Sequence, residues 1–294
     1  MNLVCERAAE ALNEALDRLE PVRIQVATGE AVGKIAYNYY APDLYDRRMS
    51  VIRAASPTGK TVATLVNYAI HPEVLGNDVG LLSPDLVGPL REEIEAKSGG
   101  LAVFMNGAQG GMVTADNRLL DKAADAARGY WHDERSWDEC LRIGRLMASE
   151  ALRIVADAPA QDDPALSCSS RVVRFPVESD LIWAVIAGSP LDYPRNADRT
   201  VSARLNLVTL GDARILTIPG EALPNIGFYL KRKMGGKHNL LFGLTNDAFG
   251  YMLTRVDFHS FSRYDYVSRT SLGEETGEIL IENALKLVEE ATKP

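Results

Sequence analysis

At 294 residues, 46% of them apolar and 24% charged, the chain is long enough to bury a large core and reads as a globular protein between one large domain and two small ones in size. A net charge of −8 without any stripe of clustered Lys and Arg excludes a phosphate backbone as the main partner. Cys5, Cys140 and Cys168 lie far apart without CxxC or CxH spacing, so neither a disulfide framework nor a cysteine metal site is indicated, and reduced, mostly buried thiols are expected. No run of about eighteen apolar residues occurs, as a membrane span needs. The N-terminus is amphipathic and acidic, unlike a leader, so the chain as written reads as cytoplasmic, or as secreted if a leader precedes it.

Val4 to Leu19 spaces alanines and leucines at helical intervals, with Pro21 as a stop. Val22 to Tyr40 contains the β-branched stretches "VRIQVATGE" and "GKIAYNYY", and Ser50 to Ala55 adds "SVIRAA"; all three predict strands. The run "TVATLVNYAI", Thr61 to Ile70, is almost wholly apolar, which predicts a strand buried on both faces, and His71 stands at its end. Ser83, Pro84 and Asp85 resemble a cap, a first-turn proline and an acid facing the helix dipole, opening a helix to about Lys97. Leu101 to Met105 is a short strand entering the glycine-rich turn "NGAQGG". Trp137 to Ala156 reads as a long helix and "DAPAQDDPA" as a surface connection. Strands are expected at Ser169 to Pro176 and Thr200 to Leu210, then at "ILTI", which enters "PGE" and a helix ending at "KRKMGGK". The strand "NLLFGL" leads into the loop "TNDAFG" and Tyr251, and Leu272 to Ala291 closes the chain as an amphipathic helix. No repeat or composition shift divides the sequence, so the expectation is one α/β domain over residues 1–294, a mixed sheet or sheets flanked by helices.

Each of the four most apolar strands ends in a chemically useful loop. These carry His71, then Asn106 to Asp116, then Glu221, then Asn246, Asp247 and Tyr251. Ligands of open α/β sheets bind beyond the carboxyl ends of the strands, so such loops can converge on one site. Singly, each has a structural explanation: a hydrogen-bonded histidine, a glutamate facing a helix dipole, an Asn-Asp turn, a packed tyrosine. Together, an imidazole, a carboxylate and a further oxygen donor suit Zn²⁺, which would acidify water and polarise a carbonyl.

The segments "ATLVNYAIHPEVLG", "LLSPDLVGPLRE", "FMNGAQGGMVTADN", "ILTIPGEALPNIGFYLK" and "LTNDAFGYML" follow one another in the order and at the approximate spacing of motifs in the neutral/alkaline ceramidases, which the chain resembles from about Val22 onward. That resemblance implies a zinc amidase that splits an N-acyl bond, in the family that of a sphingolipid, and a small-molecule or lipid amide or ester as substrate. By motif position it implies His71, Glu221 and Tyr251 as metal ligands and Asp85 as a partner that orients a ligand. The family's first histidine lies in a His-x-His stretch upstream of a helix resembling Val4 to Leu19, outside this sequence. His132, His238 and His259 stand in polar, exposed contexts and are poor substitutes, His259 alone staying open because it follows Tyr251 closely; a ligand from a neighbouring subunit, in a homo-oligomer, is another way to complete the set. Where the family carries Ser-Pro-Asn, this loop places Thr114, Ala115 and Asp116, making Thr114 the candidate nucleophile or carbonyl polariser. The alternative expectation is a degenerate or truncated homologue that keeps the fold and binds a ligand or partner without hydrolysis.

Overall fold

Successive side chains of a strand point to opposite faces, and in this chain that alternation sorts the apolar residues into separate cores. The computed structural model describes residues 2–77, 80–122, 131–190 and 193–292. In its first half the chain forms α1 (Asn2–Asp17), β1 (Arg23–Glu30), β2 (Ala36–Asn38), β3 (Arg48–Ala55), β4 (Thr61–Tyr68), α2 (Val87–Ser98), β5 (Leu101–Asn106), β6 (Val113–Ala115) and α3 (Trp137–Val155). In the second half follow β7 (Ala160–Gln161), β8 (Leu166–Pro176), α4 (Asp180–Ala187), β9 (Thr200–Leu210), β10 (Ala213–Thr217), β11 (Glu221–Ala222), α5 (Pro224–Lys233), β12 (His238–Phe242), β13 (Tyr251–Met252), α6 (Asp265–Arg269) and α7 (Thr276–Thr292).

Two mixed sheets result, as the sequence predicts. One has the order β5-β4-β3-β1-β7 and the other β12-β10-β9-β8. In each, a single pair is parallel, β4 with β5 and β10 with β12, and a helix connects its two strands. Met49 and Val51 of β3 and Val66 of β4 point to a core completed by Leu90 and Ile94 of α2 and Ile143 and Met147 of α3. Ile52, on the opposite face of β3, joins Ile24, Val26, Ala213, Ile215 and Leu240 in a core between the two sheets. Leu216 and Leu241, on the far face of the second sheet, pack with Leu230 of α5 and Leu280 and Leu287 of α7. The order of layers is therefore helices, sheet, sheet, helices. Helix α3 crosses the start of α2 closely at Gly144, where a Cβ would lie 2.5 Å from the Leu86 carbonyl oxygen.

Several expectations are corrected. Helix α2 begins at Val87, not at Ser83, and Leu86 precedes it without a side-chain cap. Asp85 takes a left-handed conformation, φ 48°, and its carboxylate accepts the backbone N–H groups of Val74, Leu75 and Leu86, so it braces a loop instead of facing a dipole. Helix α1 forms as predicted but buries none of its residues, leaving Leu3, Val4, Leu12 and Leu16 exposed. The connection after α3 contributes β7, which extends the first sheet beside β1. Of the cysteines only Cys140 is buried, its thiol pushed up to about 12 by burial, while Cys5 and Cys168 are exposed and all three are free. No helix among the described residues is long and apolar enough to cross a membrane.

Candidate metal and catalytic site

The carboxyl ends of the two parallel strand pairs meet. Asn67, buried in β4, directs its amide N–H group at the carbonyls of Met105 and Asn106 in its own sheet and of Leu241 in the other, and Gly243 N–H donates to the Asn106 carbonyl. This seam brings the loop after β4 beside the loop after β10.

His71 is held there at both of its donors. Its backbone N–H donates to the Val113 carbonyl at 2.8 Å, and its Nδ1 lies 2.8 Å from the same oxygen. A carbonyl only accepts, so Nδ1 carries a proton and Nε2 is the free end of the ring. Nε2 lies 2.7 Å from Glu221 Oε2, and both side chains are largely buried. Burial disfavours the charged imidazole, but the hydrogen bond and charge of Glu221 outweigh it and raise the His71 pKa above its usual value. A bare imidazole nitrogen and a carboxylate oxygen this close share a proton. The Nδ1–H tautomer fixed by a backbone carbonyl also leaves Nε2 free to bind a metal.

Glu221 opens β11, which pairs in parallel with β13 so that Glu221 lies opposite Tyr251. The approach of the glycine-rich turn sets its position: Gly110 N–H donates to the Ala222 carbonyl at 2.9 Å, and a Cβ on Gly110 would collide with the Glu221 carbonyl oxygen. The Tyr251 ring is buried, and its hydroxyl donates to the Met112 sulfur at 3.1 Å instead of to His71 or Glu221. Burial, then the Glu221 charge, raise the Tyr251 pKa well above its ordinary value. An imidazole nitrogen and a carboxylate oxygen are of the ligand types that zinc takes. Among the described residues no third His, Cys, Asp or Glu joins His71 and Glu221.

Thr114 lies in β6 opposite Tyr37 of β2, and a parallel bridge joins it to His71. It lines a cleft of about 550 Å³ together with Tyr37, Tyr39, Glu73, Met112 and Asp133.

No protein-family model matches this sequence, and no curated protein does. The structure matches the crystal structure of neutral ceramidase from Pseudomonas aeruginosa with a TM-score of 0.70 at 17% identity, over 96% of this chain and 54% of that one. The fold is that of neutral ceramidase. A second structure, a ceramidase complexed with C2, matches with the same TM-score and identity over 94% of this chain and 54% of its own. The chain thus spans about half the length of either ceramidase structure.

On this neutral-ceramidase fold the sequence-selected residues divide. His71, Glu221, Tyr251 and Thr114 come together. Asp85 lines the cleft beside Thr114 and holds amides of the turn after His71. Asp116 is taken by Arg118, which pairs with both of its oxygens at 2.8 Å and stacks over Tyr37. Asn246 bonds the Arg204 carbonyl and Thr217, and Asp247 accepts the Tyr193 hydroxyl, so the fourth loop supplies only Tyr251. His132 and His259 are exposed, as expected; His238 is instead partly buried in β12, bonded to Thr28. Two participants carried no metal-ligand signal in the sequence. Met112 accepts the Tyr251 hydroxyl from a left-handed conformation, φ 62°, whose only warning is the Gly-Gly before it. Asn117 donates to the carbonyls of Val74 and Glu134, tying the turn after His71 to the cleft wall.

Proposed function

We propose that this chain is a zinc-dependent hydrolase that splits an amide or ester bond, with His71 and Glu221 as metal ligands. The observation that carries this reading is the 2.7 Å approach of His71 Nε2 to Glu221 at the carboxyl ends of two parallel strand pairs, with Nδ1 committed to a backbone carbonyl. A zinc ion held there would supply Lewis-acid polarisation of the substrate carbonyl. Tyr251, once released from the weakly accepting Met112 sulfur, would join the donor set or hydrogen-bond the oxyanion as it forms. Thr114 lines the cleft and is bridged to His71; there its hydroxyl would orient the attacking water, or would itself take the acyl group, its proton going to the leaving amine or alcohol, before water cleaves the ester. Hydrolysis places the water oxygen on the carbonyl carbon and a proton on the leaving nitrogen or oxygen. Asp85 is a positioning residue that acts through the turn after His71.

One observation favours a second reading, a relative that binds without hydrolysis: only two ligands of the His, Cys, Asp and Glu types converge among the described residues. Elemental analysis of zinc in the wild type, in His71→Ala, in Glu221→Ala and in the double variant decides the metal site. Stoichiometric zinc is expected in the wild type and less than about a tenth of it in the double variant. Zinc retained stoichiometrically by the double variant rules the site out. Amine or alcohol release from acyl substrates then separates hydrolysis from binding.

A further inference from the structure

We infer that the cleft beside Thr114 recognises a cationic, amine-bearing group on the substrate, with Asp133 as the specificity-determining carboxylate; this rests on the hydrolase reading above. The cleft, about 550 Å³, is of the size that holds a small molecule. Its walls carry the aromatic rings of Tyr37, Tyr39 and Trp137, the carboxylates of Glu73, Asp85 and Asp133, and one cation, Arg135. These acids differ in what already satisfies them. Asp85 is saturated by three backbone N–H groups. Asp133 Oδ1, in contrast, is buried and accepts no hydrogen bond from the described residues.

The backbone keeps Asp133 in place. A β-bridge joins it to Arg118, Leu119 N–H donates to the His132 carbonyl at 2.8 Å, and Glu134 N–H donates to the Asn117 carbonyl at 2.7 Å. A buried carboxylate oxygen without a donor is costly, and a native structure that keeps one has a reason for it. Desolvation pushes the Asp133 carboxyl up; Arg135 and Arg118 oppose this, and Glu73 and Asp116 add to it. Of those cations, Arg118 is engaged by both oxygens of Asp116. An ammonium group supplies three donors for the carboxylate and a charge that an aromatic face attracts; of the three rings Tyr37 is already covered by Arg118 and Tyr39 by Arg263, which leaves Trp137. A hydrocarbon tail supplies neither.

Thr114 lines the same cleft and is bridged to His71, so the acyl carbonyl belongs at the Thr114 end and the ammonium at the Asp133 end. The substrate class is a short N-acyl amide of a diamine or similar amine. In its hydrolysis the water oxygen bonds to the carbonyl carbon, the C–N bond breaks and the nitrogen takes the proton, leaving a carboxylate and a free amine.

The test uses the full chain and two probes: monoacetylated diaminobutane and its uncharged isostere N-pentylacetamide. Calorimetry is expected to show the charged probe binding at least about tenfold more tightly, with Asp133→Asn bringing the ratio close to one and Glu73→Gln, on the surface, lowering it less. Equal affinity of the wild type for the two probes overturns the inference without any variant, as does a ratio unchanged in a folded Asp133→Asn protein. Binding is read apart from turnover. Selective binding without hydrolysis overturns the hydrolase reading and leaves this one standing; hydrolysis of both probes, or of a short-chain ceramide, without selective binding does the reverse.

Discussion

At the scale of single residues, the site depends on side chains whose hydrogen-bonding capacity is already committed. Val113 fixes the tautomer of His71, and three backbone amides fix the carboxylate of Asp85. Asp85→Ala strands those amides in a buried position and is expected to lower stability by about 3 kcal/mol, measured by urea unfolding. Asp85→Asn, which tolerates the left-handed backbone and keeps one acceptor, is expected to lose less. In the metal-free protein the His71 pKa lies above its unfolded value near 6.5, because Glu221 outweighs burial. The pair therefore contributes stability that is fully present below about pH 6.5 and is lost as pH rises through the folded pKa. NMR titration of the imidazole should show that elevation in the wild type and a lower pKa in Glu221→Gln; no difference between them would contradict the pairing. His71 was legible because a polar residue ending an apolar run breaks a pattern. Asp85 was misread because Ser-Pro-Asp satisfies the rules for a helix start equally well, and only the tertiary fold brings Val74 and Leu75 to its carboxylate.

At the scale of elements, the long periodic segments matched expectation and the shortest ones did not. Helices α3 and α5 and strands β4, β9, β10 and β12 could be read from apolar patterning and the turn residues that bound them. The two-residue strands β11 and β13 could not, since nothing local distinguishes "EA" or "YM" as a strand; pairing across the fold defines them, and that pairing sets Glu221 against Tyr251. Helices α4 and α6 escaped because they are short and lie among turn-forming residues. The glycine-rich turn matters for what its missing side chain permits. Gly110→Ala would push β11 away, and we expect a loss of roughly 2–4 kcal/mol in stability together with reduced zinc content. A variant that keeps wild-type zinc and unfolding midpoint would show that β11 tolerates the shift.

At the scale of the whole molecule, α1 and Asn67 mark opposite extremes of attachment. Because α1 buries none of its residues, deleting Asn2–Asp17 is expected to change the unfolding free energy by less than about 0.5 kcal/mol. Asn67→Ala, which leaves buried carbonyls of both sheets without their donor, is expected to cost about 2 kcal/mol, and a smaller loss would mean that water replaces the amide. The core between the sheets has a further effect. His71 follows a strand of one sheet and Glu221 a strand of the other, so the thickness of the inter-sheet core works as a gauge block that sets the gap between these two side chains. Under the proposed function, choice among cations of different radius becomes a trait written partly in Ile24, Val26, Ala213 and Ile215, none of which touches the ion. Thickening that layer, as in Ala213→Val, should shift affinity from zinc toward the larger cadmium ion.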